Sequence, residues 1–317
     1  MVARRNRKYE RIGLRYGPLL LIAAILTLTI FVLYVAFTSR PGGFTRETIA
    51  YWGNGVTVWS WDRTDNTLIR IDIPLSANVA GSDGYGTYSL DSLWKLGIIE
   101  KRGGELFANS LERVLGIPVP WYIGSERGDG ATGSQNGSLP IRVRTIWSYM
   151  NGQYVTNIPL RLFFAIAWRE TLGMFRTVAV FDVANRAMSE QVQPDGTTIE
   201  IVDADRWDRM MTNAFENEEI RKEAFGVAIY NTTKEQDLGN RIARLLGHVG
   251  VHVVTVGNDE AIPQRCTVTA SKERKASRTV RTILSIFDCE FRDSGEEASA
   301  DITVRFGMGY EQESLLR

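Results

Sequence analysis

The sequence predicts a mixed α/β (α+β) protein: one membrane-spanning helix, a strand-and-helix region, and a closing βαββαβ segment. Three observations predict it. An uncharged apolar run, Pro18 to Phe37, follows six basic residues. Leu68 to Ile73 alternates isoleucines with Arg70 and Asp72, the period of a strand. From Phe225 to Phe306, short apolar runs alternate with two stretches of helical period in the order β-α-β-β-α-β.

The first element is the apolar run. About 20 residues at 1.5 Å each span a hydrocarbon core of ~30 Å. Tyr16 and Tyr34 stand near its ends, where amphipathic rings favour headgroups. Arg4, Arg5, Arg7, Lys8, Arg11 and Arg15 all lie on the N-terminal flank, which orients the N-terminus inside. A cleaved signal peptide has a shorter apolar core and a small-residue cleavage site. Val35-Ala36-Phe37-Thr38-Ser39-Arg40 is a poor site of that kind. The expected organisation is a cytoplasmic basic tail (1–16), a transmembrane helix (17–38), an extracytoplasmic domain (45–215) and a C-terminal domain (224–310).

The formal charge of zero hides an asymmetry. Residues 1–16 hold six bases and one acid, so the remainder holds 31 bases against 36 acids. A chain that is acidic beyond its anchor lacks the footprint of a nucleic-acid binder. A membrane-bound transcriptional regulator would have to reach DNA with residues 1–16.

Pro41-Gly42-Gly43 ends the first helix. Val56–Trp61 and Leu68–Ile73 read as strands joined by the polar link Asp62–Asn66, and Pro74 stops the second. Two amphipathic helices follow. One carries Leu90, Leu93 and Trp94; the other carries Leu106, Phe107, Ser110, Leu111, Val114 and Leu115 and ends at Gly116. Ile117–Ile123 is extended because prolines restrict the residues before them. Residues 124–137 are a polar Gly/Ser loop without the Lys-Ser/Thr of a phosphate loop. Residues 160–174 read as an amphipathic helix, too interrupted by Arg161, Arg169 and Glu170 to span a membrane; lying on a membrane surface is the other reading. Asp203 or Asp205 caps a helix with Trp207, Met210, Met211, Ala214 and Phe215 along one side.

The closing segment has strands Phe225–Tyr230, Val251–Val256, Cys266–Ala270 and Asp301–Phe306. Its helices bury Leu238, Ile242, Leu245, Leu246 and Val249, then Ala276, Val280, Ile283, Leu284 and Phe287. That order is the ferredoxin-like split pattern. Cys266 and Cys289 either pair outside the membrane or stay as separate thiols. His248 and His252 straddle a helix–strand junction and do not share a face, so they read as structural residues rather than metal ligands.

Residues 226–233 (GVAIYNTT), 238–246 (LGNRIARLL), 250–258 (GVHVVTVGN) and 300–307 (ADITVRFG) resemble the LytR C-terminal domain, with Tyr230-Asn231-Thr232 where Asn-Gly-Thr is usual. That domain commonly follows a LytR–CpsA–Psr catalytic domain in bacterial envelope proteins. Residues 68–74 (LIRIDIP), Gly103-Gly104 and 111–122 (LERVLGIPVPWY) are similar to parts of it, so residues 45–215 resemble a degenerate version. Active members are phosphotransferases. They move a glycopolymer from a polyprenyl-pyrophosphate carrier to peptidoglycan with magnesium, and pyrophosphate calls for arginine clamps. Here Ile73-Pro74 is followed by Leu75-Ser76 where the family has Arg-Asp, and Leu75 cannot hold a phosphate.

The resemblance therefore implies an envelope protein that binds or scaffolds at the cell wall, without a cofactor. Its partners would be the cytoplasmic membrane and peptidoglycan or wall glycopolymer, not nucleic acid. The alternative is a transferase with shifted arginines, Arg63 and Arg70, beside Asp72, and magnesium only in that case. Trp59 and Trp61, with Tyr51 and Trp52, are candidates for stacking on sugars. Lys272, Arg274 and Lys275, with Arg278 and Arg281, either hold an anionic polymer or form a solvated helix face interleaved by Glu273. Asp62, Asp65, Asp72 and Asp83 match no metal-loop spacing.

Overall fold

The computed structural model describes residues 10–38, 45–82, 84–125, 141–142, 145–294 and 300–310, with backbone alone at 10–16 and 32–38. The basic residues at the N-terminus, the side chains of Tyr16 and Tyr34, Pro41-Gly42-Gly43, Asp83 and nearly all of the Gly/Ser loop lie outside the described residues.

The chain divides at Pro41 into two units. The first holds helix α1 (Glu10–Thr38), with Pro18 inside its N-terminal part. Thr27 Oγ donates to the Ala23 carbonyl at 2.9 Å and Thr29 Oγ to that of Ile25 at 2.7 Å, so neither hydroxyl needs a partner outside the helix. Among the described residues no helix is long and apolar enough to cross a membrane; in α1 the described side chains are those of 17–31.

The second unit, Gly42–Arg317, is built on three sheets among the described residues. Its strands and helices are β1 (Arg46–Trp52), β2 (Val56–Asp62), β3 (Thr67–Ile73), β4 (Asn78–Ala80), β5 (Thr87–Ser89), α2 (Leu90–Ile99), α3 (Glu105–Leu115), β6 (Trp121–Gly124), α4 (Ile146–Met150), β7 (Val155–Thr156), α5 (Leu160–Thr171), β8 (Arg176–Asp182), α6 (Val183–Arg186), β9 (Met188–Val192), β10 (Thr198–Val202), α7 (Ala204–Met210), α8 (Glu218–Glu223), β11 (Gly226–Asn231), α9 (Leu238–His248), β12 (His252–Asn258), β13 (Cys266–Ala270), α10 (Arg278–Phe287), β14 (Glu290–Asp293) and β15 (Ile302–Phe306).

The largest sheet runs β7-β6-β1-β2-β3-β8. Pairs β1–β2 and β2–β3 are antiparallel, while β1–β6 and β3–β8 are parallel. Period two then sorts its side chains into two cores. Ala50, Trp52, Val58, Ile69 and Ile71 meet α2 and α3 on one face. Ile49, Tyr51, Trp59, Trp61 and Leu68 meet α5 on the other. Burial on both faces explains why β1, polar over Arg46–Thr48 and apolar over Ile49–Trp52, shows no alternation. On the first face Trp94 stacks on Trp52 at 5.2 Å and takes Phe107 edge-on at 5.5 Å.

Sheet β5-β4-β10-β9 lies within the same region. Asp203 caps α7 by accepting the Arg206 amide at 2.9 Å, as expected. The helix stops at Met210, so Ala214 and Phe215 reach the core from the segment after it rather than from a continued helix. Buried Trp207 donates its indole N–H to the Leu115 carbonyl at 2.8 Å.

The third sheet corrects the ferredoxin-like expectation. Its order is β12-β11-β15-β13-β14. Strands β11 and β12 are direct parallel neighbours, as are β13 and β14, so both βαβ units are unsplit. The last strand, β15, lies between them, parallel to β11 and antiparallel to β13. Helical period and strand order fix the element sequence but not which strands pair, and the polar strand β14 has no apolar alternation to announce it. Cys266 and Cys289 are disulfide-bonded with Cα atoms 4.5 Å apart, tying the start of β13 to the residue before β14.

Candidate functional site

The structure gives each arginine proposed for phosphate chemistry a carboxylate partner. Arg63 pairs with Glu47 at 3.1 Å, while Arg70 pairs with Asp72 at 2.8 Å. Asp72 also accepts from Thr57 Oγ at 3.2 Å. Each arginine thus has its own carboxylate, and no shared acidic pair draws them together. Leu75 packs against the core rather than lining a site. Asp62 and Asp65 accept from Thr64 and Thr67 in the hairpin turn. Among the described residues no group of three or more His, Cys, Asp or Glu side chains is placed to hold a metal ion.

Burial corrects the aromatic candidates. Trp59 and Trp61 are 2% and 3% exposed, and Tyr51 and Trp52 are buried as well, so none offers a ring face to a sugar. These strands have helices over both faces, which turns aromatic residues into filling. Lys272, Arg274 and Lys275 sit on a 3₁₀ turn (Lys272–Ala276), separate from α10, so the basic run is no single helix face. Arg274 is committed to Asp301 at 2.7 Å and lies over Phe225, and Lys275 lies over Phe291.

What the fold assembles instead is a cleft of about 980 Å³ between α3 with the Pro118–Tyr122 segment on one side and α9, Arg265 and Tyr310 on the other. Its arginines are Arg46, Arg113, Arg241 and Arg265; its glutamates are Glu47, Glu105, Glu112 and Glu235. The lining is therefore balanced in charge. Glu112 accepts the Val119 amide at 2.9 Å, yet burial pushes its carboxyl up against that bond and the pull of Arg241. Glu235 is ion-paired with Arg241. Burial, then the nearby Glu112, push the Tyr310 phenol far up, and Arg265 lies over its ring at 5.2 Å. Trp121 donates to Glu47 at 2.6 Å on the cleft wall.

Clefts between packed substructures are where small groups bind most often. Sequence reasoning missed this one because its walls come from segments more than 100 residues apart. The one local signal was Glu112, a carboxylate bordering the apolar stripe of α3.

Residues 224–310 match the family model described as LytR cell envelope-related transcriptional attenuator. Those residues are a LytR C-terminal domain. No curated protein matches the chain. Among solved structures, B. subtilis TagV is 12% identical with TM-score 0.36, covering 52% of this chain and 94% of its own. B. subtilis TagU is 9% identical with TM-score 0.35, covering 53% and 95%. A structure described as TagT bound to LI-WTA is 13% identical with TM-score 0.37, covering 54% and 90%.

The LytR C-terminal domain is fastened beside the cleft by a polar clamp. Arg244 on α9 reaches both oxygens of Asp208 on α7, at 2.7 and 2.5 Å, and donates to the carbonyls of Arg113 and Val114 at 3.0 and 2.9 Å. His248 Nδ1 meets the Gly116 carbonyl at 2.7 Å, and its Nε2 lies 3.5 Å from Asp208. Burial pushes the Asp208 carboxyl up, but the bonds from Arg244 and His248 outweigh it and hold it at about 2. Gly116 has φ +61°, and a Cβ there would meet Arg244 and the His248 ring at 2.9 Å. Glycine serves both the end of α3 and the close approach of the C-terminal domain.

Proposed function

We propose that this protein is a single-pass envelope protein, its N-terminus inside the cytoplasmic membrane and residues 45–310 outside, that binds wall material without catalysing transfer. The family description of residues 224–310 supports the envelope location. The Cys266–Cys289 disulfide supports an oxidising compartment. The uncharged run within α1 and the satisfied hydroxyls of Thr27 and Thr29 support a lipid-embedded anchor. Residues 45–215 are then a degenerate LytR–CpsA–Psr-like domain.

The observation that carries the non-catalytic reading is the pairing of Arg63 with Glu47 and of Arg70 with Asp72. A pyrophosphate clamp needs convergent cations with no carboxylate already on them. The balanced cleft suits a ligand carrying both charges, as peptidoglycan does with its peptide amines and carboxylates, better than a polyanionic glycopolymer.

The test is sedimentation of the purified chain in detergent with intact peptidoglycan and, separately, with wall glycopolymer, alongside an assay for release of polyprenyl monophosphate, the leaving group when the pyrophosphate bond is broken by phosphoryl transfer. Retention on peptidoglycan without release is expected. Turnover of the carrier-linked substrate would reinstate the transferase; retention on neither material would end the binding reading.

A further inference from the structure

Helix α5 is apolar on two faces. Leu162, Phe163, Ile166 and Ala167 point into the core under the largest sheet. The opposite side carries Leu160, Phe164, Trp168 and, just past the helix end, Leu172, at steps of four residues. Leu160, Trp168 and Leu172 are exposed. The neighbouring α4 joins the same core through Tyr149, whose ring lies 4.4 Å from Phe163, and leaves Trp147 and Met150 outside. Trp147 is 70% exposed and Trp168 49%, whereas Trp52, Trp59, Trp61, Trp94 and Trp207 are buried.

The stretch is also one-sided in charge, and Arg161 is its arginine exposed on the outer side of α5, whereas Arg169 lies over Trp61. Residues 141–180 contain five arginines and a single carboxylate, Glu170, within a chain whose residues 17–317 are acidic overall. Burial pushes the Glu170 carboxyl up against the pull of Arg142, its ion-pair partner at 4.0 Å. Tryptophan, long apolar side chains and arginine together are the composition that settles at the boundary between headgroups and acyl chains.

We propose that the outer faces of α4 and α5 dock on an anionic phospholipid bilayer, inserting Trp147, Trp168 and Leu172 while Arg161 pairs with lipid phosphates. The inference rests on the envelope reading above, and its occupant is the bilayer itself. Docking would hold the second unit against the membrane by a contact separate from α1.

The experiment uses the full chain reconstituted into vesicles of phosphatidylglycerol and phosphatidylcholine with acyl chains brominated near the headgroup. Helix α1 contains no tryptophan, so quenching reports on the second unit alone. Quenched, blue-shifted emission is expected, and it should disappear in the Trp147→Phe/Trp168→Phe variant. The Arg161→Glu/Leu172→Ser variant keeps both probes and should lower the quenched fraction about threefold, as should vesicles of phosphatidylcholine alone. Alkaline carbonate extraction reads the anchor independently. A chain that resists extraction but shows unquenched tryptophans would overturn docking and leave the anchor standing. Quenching in a chain released by carbonate would support docking and remove the anchor. Equal quenching with and without phosphatidylglycerol would overturn the electrostatic part.

Discussion

Helices α10 and α5 both cover a sheet, but they finish the molecule differently. Helix α10 buries Val280, Ile283 and Phe287, and turns Arg281 and Ser285 away from that core. Its single apolar stripe is used up by the fold. Helix α5 buries one stripe and leaves a second in the open. The difference teaches where to look for partners: a helix whose apolar positions exceed one face has more to bury than its own domain supplies.

The strongest test of this contrast sets a buried tryptophan against an exposed one. Trp94→Ala removes the ring that Trp52 stacks on and that Phe107 and Tyr122 meet edge-on. It should cost about 4 kcal/mol in chemical denaturation, as large-to-small changes in aromatic cores do. A loss below about 1 kcal/mol would mean that this core is not packed as described.

The covalent staple of the C-terminal domain comes next. Cys266 and Cys289 are 23 residues apart, and a closed loop of that size is worth about 3 kcal/mol by chain entropy. Cys266→Ala/Cys289→Ala should therefore lower the C-terminal domain's midpoint while Trp94 fluorescence still reports a folded larger sheet. Simultaneous loss of both regions would show that the two melt as one unit.

The clamp between the regions supplies a pH test. Asp208 has a folded-state value of about 2 against an ordinary 3.8. A depressed carboxyl stabilises the fold fully above about pH 4, and that contribution is lost as pH falls towards 2. Discounted for its partial exposure, the contribution is about 1 kcal/mol. Acid titration of stability should show a loss in that window that Asp208→Asn abolishes; an unchanged titration in the variant would show that the clamp carries no net energy.

How much of this was legible from residues alone differs between the halves. Strand β3, helices α2, α3, α9 and α10, and the Asp203 cap follow from period and capping chemistry, because each has a polar side or one polar signal. Strand β2, buried on both faces, is legible as a short apolar run closed by the polar link at Asp62. Strand β1 carries no strand signal of its own because its apolar half, Ile49–Trp52, is only four residues long and buried on both faces, so it does not alternate. The parallel neighbours in the third sheet were missed because pairing is decided by connections through space rather than by local pattern. The same reason hid the cleft: Glu112, Arg241 and Tyr310 belong to three distant segments, and only folding brings them to one cleft. Trp59 and Trp61 misled in the opposite direction, since an aromatic in a strand reads alike whether it faces sugar or a covering helix.

The smallest effect is the most informative about α5. If Trp168 served packing, Trp168→Ser would destabilise the fold by several kcal/mol, as a buried tryptophan does. Its ring is half open to solvent and lies on the side of α5 opposite Phe163 and Ile166. The change should therefore shift stability in water by no more than about 0.5 kcal/mol. Denaturant midpoints without vesicles measure this directly. A near-zero value separates the exposed stripe from the core, because a large apolar side chain that contributes nothing to folding has its use elsewhere. A loss of about 2 kcal/mol would instead make the second stripe part of the fold, and α5 would then resemble α10 after all.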